Sequence, residues 1–350
     1  MNATINWLYS WISASQSGEA ALAAPSSASA HSTISDTNEK PNKNPYDAIL
    51  DENQHDPIKI QRFCENQRTS RNAKFRTQIL DPRFQGFKRD EVLFNLINVP
   101  GFTDPRNNLC VWARPTRKIM DLVLTCQEEL RRMSPSIWLM PPDCLHMTVL
   151  EIAQSLTPQE LQAVENTISP AVTTLASYHM THRTRLVKPK LSYDDAAIAL
   201  TFVPAAGEPT NIVSVEDSKS DVCNDEYTYL HLRRDLIRVC HAKGVQIGAR
   251  YATTSCHLTI ARFLGDEDFA AKKASHSQGE GRLDHEKVVN WVEMLDAINV
   301  RLEREFWPKV GRVMPFGAGE WLVGSERGLD VRRGRLWYGG GETWEAGDGF

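Results

Sequence analysis

Two short segments of the chain place a histidine and a threonine two positions apart. His146-Met147-Thr148 and His257-Leu258-Thr259 both read histidine, apolar residue, threonine. Alternate side chains of a β-strand share a face, so each histidine would point the same way as its threonine. Imidazoles exchange protons near neutral pH, and hydroxyls can donate hydrogen bonds to developing negative charge. The pair of motifs therefore indicates general acid–base chemistry at a phosphate group.

The elements predicted around the two motifs recur in the same order. The first set is a strand over Leu109–Ala113, a helix over 117–133, a strand over Leu145–Ile152, and a helix from the Thr157 capping box to about Tyr178. The second set is a strand over Ala197–Val203, a helix over 227–243, a strand over Ser255–Leu264 and a helix over 286–306. Closing strands are predicted at 320–323 and 336–338. This repetition indicates an internal duplication, whose approximate two-fold symmetry would bring both motifs to one cleft.

Within such a cleft the four polar side chains would have complementary roles. One histidine would take a proton from a nucleophile while the other gives a proton to the leaving oxygen. Thr148 and Thr259 would bind the phosphate oxygens. Because imidazolium and hydroxyl groups supply the electrophilic help, we expect no metal and no cofactor. A single histidine of this kind is more often structural, so the specificity of the signal comes from the two matched copies.

Composition excludes several classes of protein. The 350 residues are 41% hydrophobic and 24% charged, as in an average soluble globular chain and unlike a collagen, a coiled-coil rod or a disordered protein. A net charge of -4 excludes a basic nucleic-acid coat. Seven cysteines without a CxxC pair fit a reducing compartment. No segment is long and apolar enough for a membrane helix, and the first basic residue is Lys40, unlike a signal peptide. These features predict a cytoplasmic or nuclear protein.

Four regions are predicted along the chain. Residues 1–45 are rich in Ser, Ala and Thr and are expected to be a disordered tail, although Trp7 and Trp11 leave a docking peptide as an alternative. Residues 46–106 mix basic and phenylalanine side chains. They are expected to pack on the core as an N-terminal extension, with a nucleic-acid grip as the alternative. Residues 107–340 form the duplicated domain, and residues 341–350 a second tail.

The two motif regions resemble those of the 2H phosphoesterase superfamily. Residues 137–149, which end in His146-Met147-Thr148-Val149, are similar to the first motif of its 2′-5′ RNA ligase-like and cyclic nucleotide phosphodiesterase members. His257-Leu258-Thr259-Ile260-Ala261-Arg262 is similar to their second motif, including the final arginine. The resemblance covers roughly residues 107–340, whereas the N-terminal hundred residues and the acidic insertion at 205–226 have no counterpart.

The resemblance implies an α+β, bilobal, duplicated fold in which two antiparallel sheets face a central cleft with helices outside. It implies a metal-independent phosphodiesterase that opens 2′,3′-cyclic phosphates of RNA ends or nucleotides, or related cyclic or 2′-5′ phosphodiesters. His146 and His257 would be catalytic and Thr148 and Thr259 phosphate-binding. The partner would be a nucleotide or an RNA end, with no membrane, no protein partner and a monomeric chain. The alternative is a nucleotide- or RNA-end-binding module without turnover.

Residues near the motifs leave further alternatives open. Trp138 and Tyr338 could stack on a base or contact substrate, or could cover the core. Cys144 and His257 could belong to a zinc site, although a buried thiol is the simpler interpretation. Arg262 could bridge structural carboxylates or turn into the cleft through a β-bulge. Two basic segments could contact phosphates or could be solvated charges: Arg183, Arg185, Lys188 and Lys190, and Arg332, Arg333 and Arg335.

Overall fold

A computed structural model describes residues 44–209, 224–247, 254–271, 283–309 and 319–350. Nearly all of the predicted tail over 1–45, and part of the acidic insertion at 205–226, lie outside the described residues. The helices are α1 (Pro45–Glu52), α2 (Pro57–Leu80), α3 (Glu91–Asn98), α4 (Arg117–Met133), α5 (Pro158–Ile168), α6 (Val172–Ser177), α7 (Tyr229–His241) and α8 (His285–Phe306). The strands are β1 (Asn107–Ala113), β2 (Trp138–Leu139), β3 (Met147–Leu156), β4 (Arg185–Tyr193), β5 (Ala197–Pro204), β6 (Cys256–Arg262), β7 (Trp321–Leu322), β8 (Leu329–Gly334) and β9 (Glu342–Ala346). The α+β class is confirmed.

The strands of the described residues form one antiparallel sheet. Its order is β7-β4-β5-β6-β3-β1-β8-β9, with β2 also paired to β6. The two motif strands, β3 and β6, are neighbours at the middle of this order, where Met147 pairs with Leu258. The family resemblance implies two sheets that face each other across a cleft, whereas the described strands are joined through this pair into a single sheet.

Most helices and strands agree with the sequence patterns. The helix predicted at 117–133 is α4 with the same bounds, and the Thr116 side chain accepts a hydrogen bond from its first turn. The helix predicted from 158 to 178 is instead divided into α5 and α6 by a 3-10 turn that contains Pro170, which has no N–H to donate. Residues 336–338 are not a strand, and β8 lies just before them. The predicted tail at 341–350 contains β9, which pairs with β8.

The N-terminal extension packs against the second half of the sheet. Ile60, Phe75 and Phe87 are buried within it. Two arginines of α2 are also buried: Arg68 donates to the carbonyl oxygen of Lys188 at 2.7 Å, and Arg71 pairs with Asp194 at 2.9 Å. The structural interpretation of residues 46–106 expects packed phenylalanines and solvated charges. The phenylalanines are packed, whereas these two arginines are buried and bind groups of this chain.

Each motif strand is held by a buried side chain from a helix of the other half. Gln127 of α4 donates from Nε2 to the carbonyl oxygens of Met140 and Ile260, both at 2.9 Å. Arg233 of α7 donates to the carbonyl oxygen of Thr148 at 2.8 Å. Both helix side chains are almost fully buried. Buried carbonyl oxygens need hydrogen-bond donors, and these two side chains supply donors at the irregular part of each strand.

Candidate active site

The pairing of β3 with β6 brings the two motifs together. With Met147 opposite Leu258 in an antiparallel pair, His146 lies opposite Thr259 and Thr148 lies opposite His257. All four polar side chains line one cavity of about 110 Å³. The intervening Met147 and Leu258 are fully buried on the other face. The predicted convergence of the two motifs is therefore seen in the structure.

A β-bulge follows the threonine of each motif. In β3 the partner of Val111 is Leu150 and the partner of Trp112 is Thr148, so Val149 is an extra residue. In β6 the partners of Ile198 and Ala199 are Ala261 and Thr259, so Ile260 is an extra residue. A bulge shifts the alternation of side chains by one position.

Because of these bulges, the residue three positions after each threonine shares the face of that threonine. The first such residue is Glu151 and the second is Arg262, and both line the cavity. The sequence alternation predicts that Arg262 points away unless a bulge intervenes, and the structure contains that bulge. Glu151, three positions after Thr148, is only a weak candidate from the sequence, because regular alternation would place it on the opposite face.

His146 is fixed by its own backbone and by an aromatic ring. Its Nδ1 lies 2.7 Å from the carbonyl oxygen of Cys144, which can only accept. The proton of a neutral ring therefore lies on Nδ1, and Nε2 keeps its lone pair. The ring also stacks on Trp112, with centroids 3.6 Å apart and planes inclined by 9°. Both contacts set the orientation of the imidazole before any substrate binds.

His257 has a related arrangement in β6. Its Nδ1 lies 3.0 Å from the hydroxyl oxygen of Ser255. The backbone of Ser255 also hydrogen-bonds to the ring. Each histidine is thus anchored by the residue two positions before it, Cys144 or Ser255. The two halves of the site hold their imidazoles in the same way.

Burial disfavours the protonated form of both rings. It lowers the pKa of His146 to about 3, with Arg114 and Arg332 contributing further. Burial likewise holds the pKa of His257 well below its usual value, assisted by the positive charges of Arg233 and Arg71 and by His146 itself. Burial therefore favours the unprotonated form of both histidines. A bound phosphate anion would offset these effects and favour an imidazolium.

Arginine side chains surround the two histidines. Arg262 pairs with the buried Asp90 at 3.0 Å, as its structural interpretation predicts, and also lines the cavity. Arg114 and Arg332 each lie over the Trp112 ring, with the guanidinium carbon 4.9 Å from the centroid. Arg114 is itself paired with the buried Asp330 at 2.9 Å, and the positive charges of all three arginines lower the pKa of His146.

The two aromatic residues predicted to contact substrate do not line the cavity. Trp138 and Tyr338 contact each other edge to face, 6.1 Å between centroids, and the Tyr338 hydroxyl donates to Asp90 at 2.7 Å. Trp112 and Trp337 line the cavity instead. Trp337 follows β8, the strand next to β1, a position that the sequence pattern of 336–338 does not reveal.

The zinc interpretation finds no ligand set in the described part of the chain. Cys144 is not among the residues that line the cavity, and its carbonyl oxygen rather than its thiol contacts His146. Among the described residues, no three His, Cys, Asp or Glu side chains are grouped closely enough to hold a metal ion.

Several residues of the two basic segments are paired within the chain. Arg185 is buried in β4 and bonds Asp225 and Glu320, which contradicts both a phosphate contact and a solvated charge. Lys188 pairs with Glu65 at 2.6 Å. In the second segment, Arg332 donates to the carbonyl oxygen of Gly340 at 2.7 Å. These contacts stabilise the scaffold around the cavity.

Comparisons with known proteins add little to this geometry. No family model and no curated protein matches the chain. Among solved structures, the crystal structure of TT0787 of Thermus thermophilus is similar at a TM-score of 0.33 and 13% identity, covering 65% of this chain and 87% of that one. A TM-score this low does not establish a shared fold. No helix among the described residues has the length and apolar character needed to cross a membrane.

Proposed function

We propose that this chain is a metal-independent phosphodiesterase that opens 2′,3′-cyclic phosphates of nucleotides or RNA ends. One observation carries the proposal: the Met147–Leu258 pair brings both His-x-Thr motifs into one cavity from adjacent strands. Strand order also supports a duplicated, bilobal origin of the kind found in 2H phosphoesterases. The other neighbour of each motif strand in the sheet is the strand that comes before it in the predicted repeat. Thus β1 lies beside β3, and β5 lies beside β6.

The proposed reaction is an in-line attack of water on phosphorus. Nε2 of one histidine accepts a proton from the water as the new P–O bond forms. Nε2 of the other histidine, protonated in the substrate complex, gives its proton to the ribose oxygen as the P–O bond of the ring breaks. Thr148 and Thr259 donate hydrogen bonds to the non-bridging oxygens and stabilise their increased charge. Because burial favours the neutral form of both imidazoles, the imidazolium would form when the anionic substrate binds.

Unsatisfied donors at the cavity support an anionic ligand. Nε of Arg262 and Nε1 of Trp337 are buried and have no hydrogen-bond partner within the described ranges of the chain. Both residues line the cavity. Buried N–H groups without acceptors are costly, and a phosphate offers several acceptor oxygens. An anion in this cavity would therefore supply acceptors to two N–H groups that have none within the described residues.

The proposal is tested with a panel of substrates. The purified chain is assayed with 2′,3′-cyclic mononucleotides, cyclic-phosphate-ended RNA, 2′-5′ dinucleotides and ADP-ribose cyclic phosphate, with and without EDTA. We expect hydrolysis of cyclic phosphates at a rate that EDTA does not change, because imidazoles and hydroxyls supply the proton transfer and the charge stabilisation. Loss of activity in EDTA that added Zn²⁺ restores would contradict the mechanism. Tight nucleotide binding without any product would favour the binding module instead.

A further inference from the structure

The two His-x-Thr motifs match, but the cavity has side chains of opposite charge at its two ends. The two bulges turn Glu151 into one end of the cavity and Arg262 into the other. Arg262 is neutralised in part by Asp90 at 3.0 Å. Glu151 has no hydrogen bond or ion pair to any residue that the structure describes. A carboxylate without a partner therefore lies near the proposed phosphate site, where it would repel a phosphate and attract hydrogen-bond donors.

An amide lies on the same wall as this carboxylate. Asn108 and Cys110 alternate along β1, Cys110 is directly opposite Glu151, and all three residues line the cavity. The Oδ1 atom of Asn108 accepts a hydrogen bond from the backbone N–H of Ser155 at 2.8 Å. Its Nδ2 group makes no hydrogen bond within the described residues and can donate to a ligand. This wall thus offers one donor beside a two-oxygen acceptor.

Burial raises the pKa of Glu151 to about 7. Near neutral pH the ionised form is therefore available, and a ligand that supplies two donors would stabilise it further. The ribose of a 2′,3′-cyclic phosphate has no free 2′- or 3′-hydroxyl, so the base is the part of the substrate that is rich in donors.

We propose that Glu151, assisted by Asn108, selects guanosine as the nucleoside of the substrate, an inference that rests on the proposed function. Guanine has a carbonyl acceptor, O6, next to two donors, N1–H and the exocyclic N2 amine. The amide of Asn108 matches the acceptor, and the carboxylate of Glu151 matches the two donors.

The other bases fit this wall less well. Uracil offers one N–H donor between two carbonyl oxygens, and one of those oxygens would face the carboxylate. Adenine and cytosine place an amine where the amide of Asn108 would donate, and each offers a ring nitrogen acceptor to Glu151. A polar group that is buried without a matching partner weakens binding, so the wall discriminates against all three bases.

The test compares Glu151→Gln with a matched control. Gln keeps the shape of the side chain but replaces one acceptor oxygen by a donor. Glu128→Gln makes the same chemical change on the outer face of α4, where the Glu128 side chain is 72% exposed. For the unmodified chain and both variants, kcat/KM is measured with 2′,3′-cyclic GMP and UMP. The dissociation constants of guanosine and uridine 3′-monophosphate are measured by titration calorimetry.

We expect the unmodified chain and Glu128→Gln to prefer guanosine over uridine by about tenfold or more, and Glu151→Gln to lose most of that preference. Equal preference in Glu151→Gln and the unmodified chain would overturn the proposal, as would the absence of any preference or of any binding. The two measurements separate this inference from the proposed function. Guanosine-selective binding without turnover would support the role of Glu151 and refute the proposed hydrolase. Turnover without a preference for guanosine would support the hydrolase and refute the role of Glu151.

Discussion

Alanine in place of His146 or His257 is expected to lower kcat for 2′,3′-cyclic phosphate hydrolysis by about 10²- to 10⁴-fold. Each imidazole is needed for one of two simultaneous proton transfers, and neither histidine can perform both from its own side of the phosphate. Because the two act as a unit, the double variant should be little slower than either single variant. The rates would be measured under saturating substrate with the best substrate of the panel.

A matched control separates this effect from damage to the fold. His285 is the exposed first residue of α8 and does not line the cavity, so His285→Ala should retain full activity. Circular dichroism and thermal unfolding would show whether the variants at His146 and His257 remain folded. Full activity in the folded double variant would refute the proposed mechanism.

Valine in place of Thr148 or Thr259 is expected to lower kcat/KM by about 10²-fold for each position. Valine has nearly the shape of threonine and is suited to a strand, but it cannot donate a hydrogen bond to a phosphate oxygen. The loss should appear with every substrate that the chain hydrolyses, because the contact is to the phosphate. Steady-state kinetics with two different cyclic nucleotides would measure it.

Serine provides the control at both positions because it keeps the hydroxyl and removes only the methyl group. Thr148→Ser and Thr259→Ser should retain most of the activity that the valine variants lose. The Arg233 side chain donates to the backbone carbonyl oxygen of residue 148, so this hydrogen bond can form whether the residue is threonine, valine or serine. If the valine and serine variants were equally active, the threonines would have no role in binding phosphate.

The sequence was sufficient to find the motif strands and their faces. Strict alternation around His146 and His257 places Met147 and Leu258 on the opposite face, and both are fully buried there. Helical spacing predicts α4 with its observed bounds, because a threonine cap and a regular apolar stripe coincide. These features depend on local patterns, which are visible in a single chain.

The bulges could not be predicted in the same way. A bulge is defined by the register of two strands, and neither Val149 nor Ile260 differs in type from an ordinary strand residue. Consequently Glu151 is only a weak candidate from the sequence, and for Arg262 the sequence favours the structural interpretation over a place in the cleft. In the structure a single Arg262 side chain pairs with Asp90 and also lines the cavity.

Buried charge was the second feature that local patterns missed. Arg185 lies in a basic segment that resembles a solvated surface, yet it is buried in β4 between Asp225 and Glu320. Its partners are 40 and 135 positions away in the sequence. Such groups come together only in the folded chain, so composition alone favours the wrong environment.

Nitrogen NMR of the histidine side chains tests the central claim most directly, because that claim is the binding of one phosphate between two imidazoles. In the empty protein at pH 7, Nε2 of His146 and of His257 should both be unprotonated, since burial lowers the pKa of each ring. Titration with guanosine 3′-monophosphate should move both Nε2 resonances along one binding curve with one equivalent of ligand. A response from only one ring, or two separate curves, would contradict a shared phosphate site.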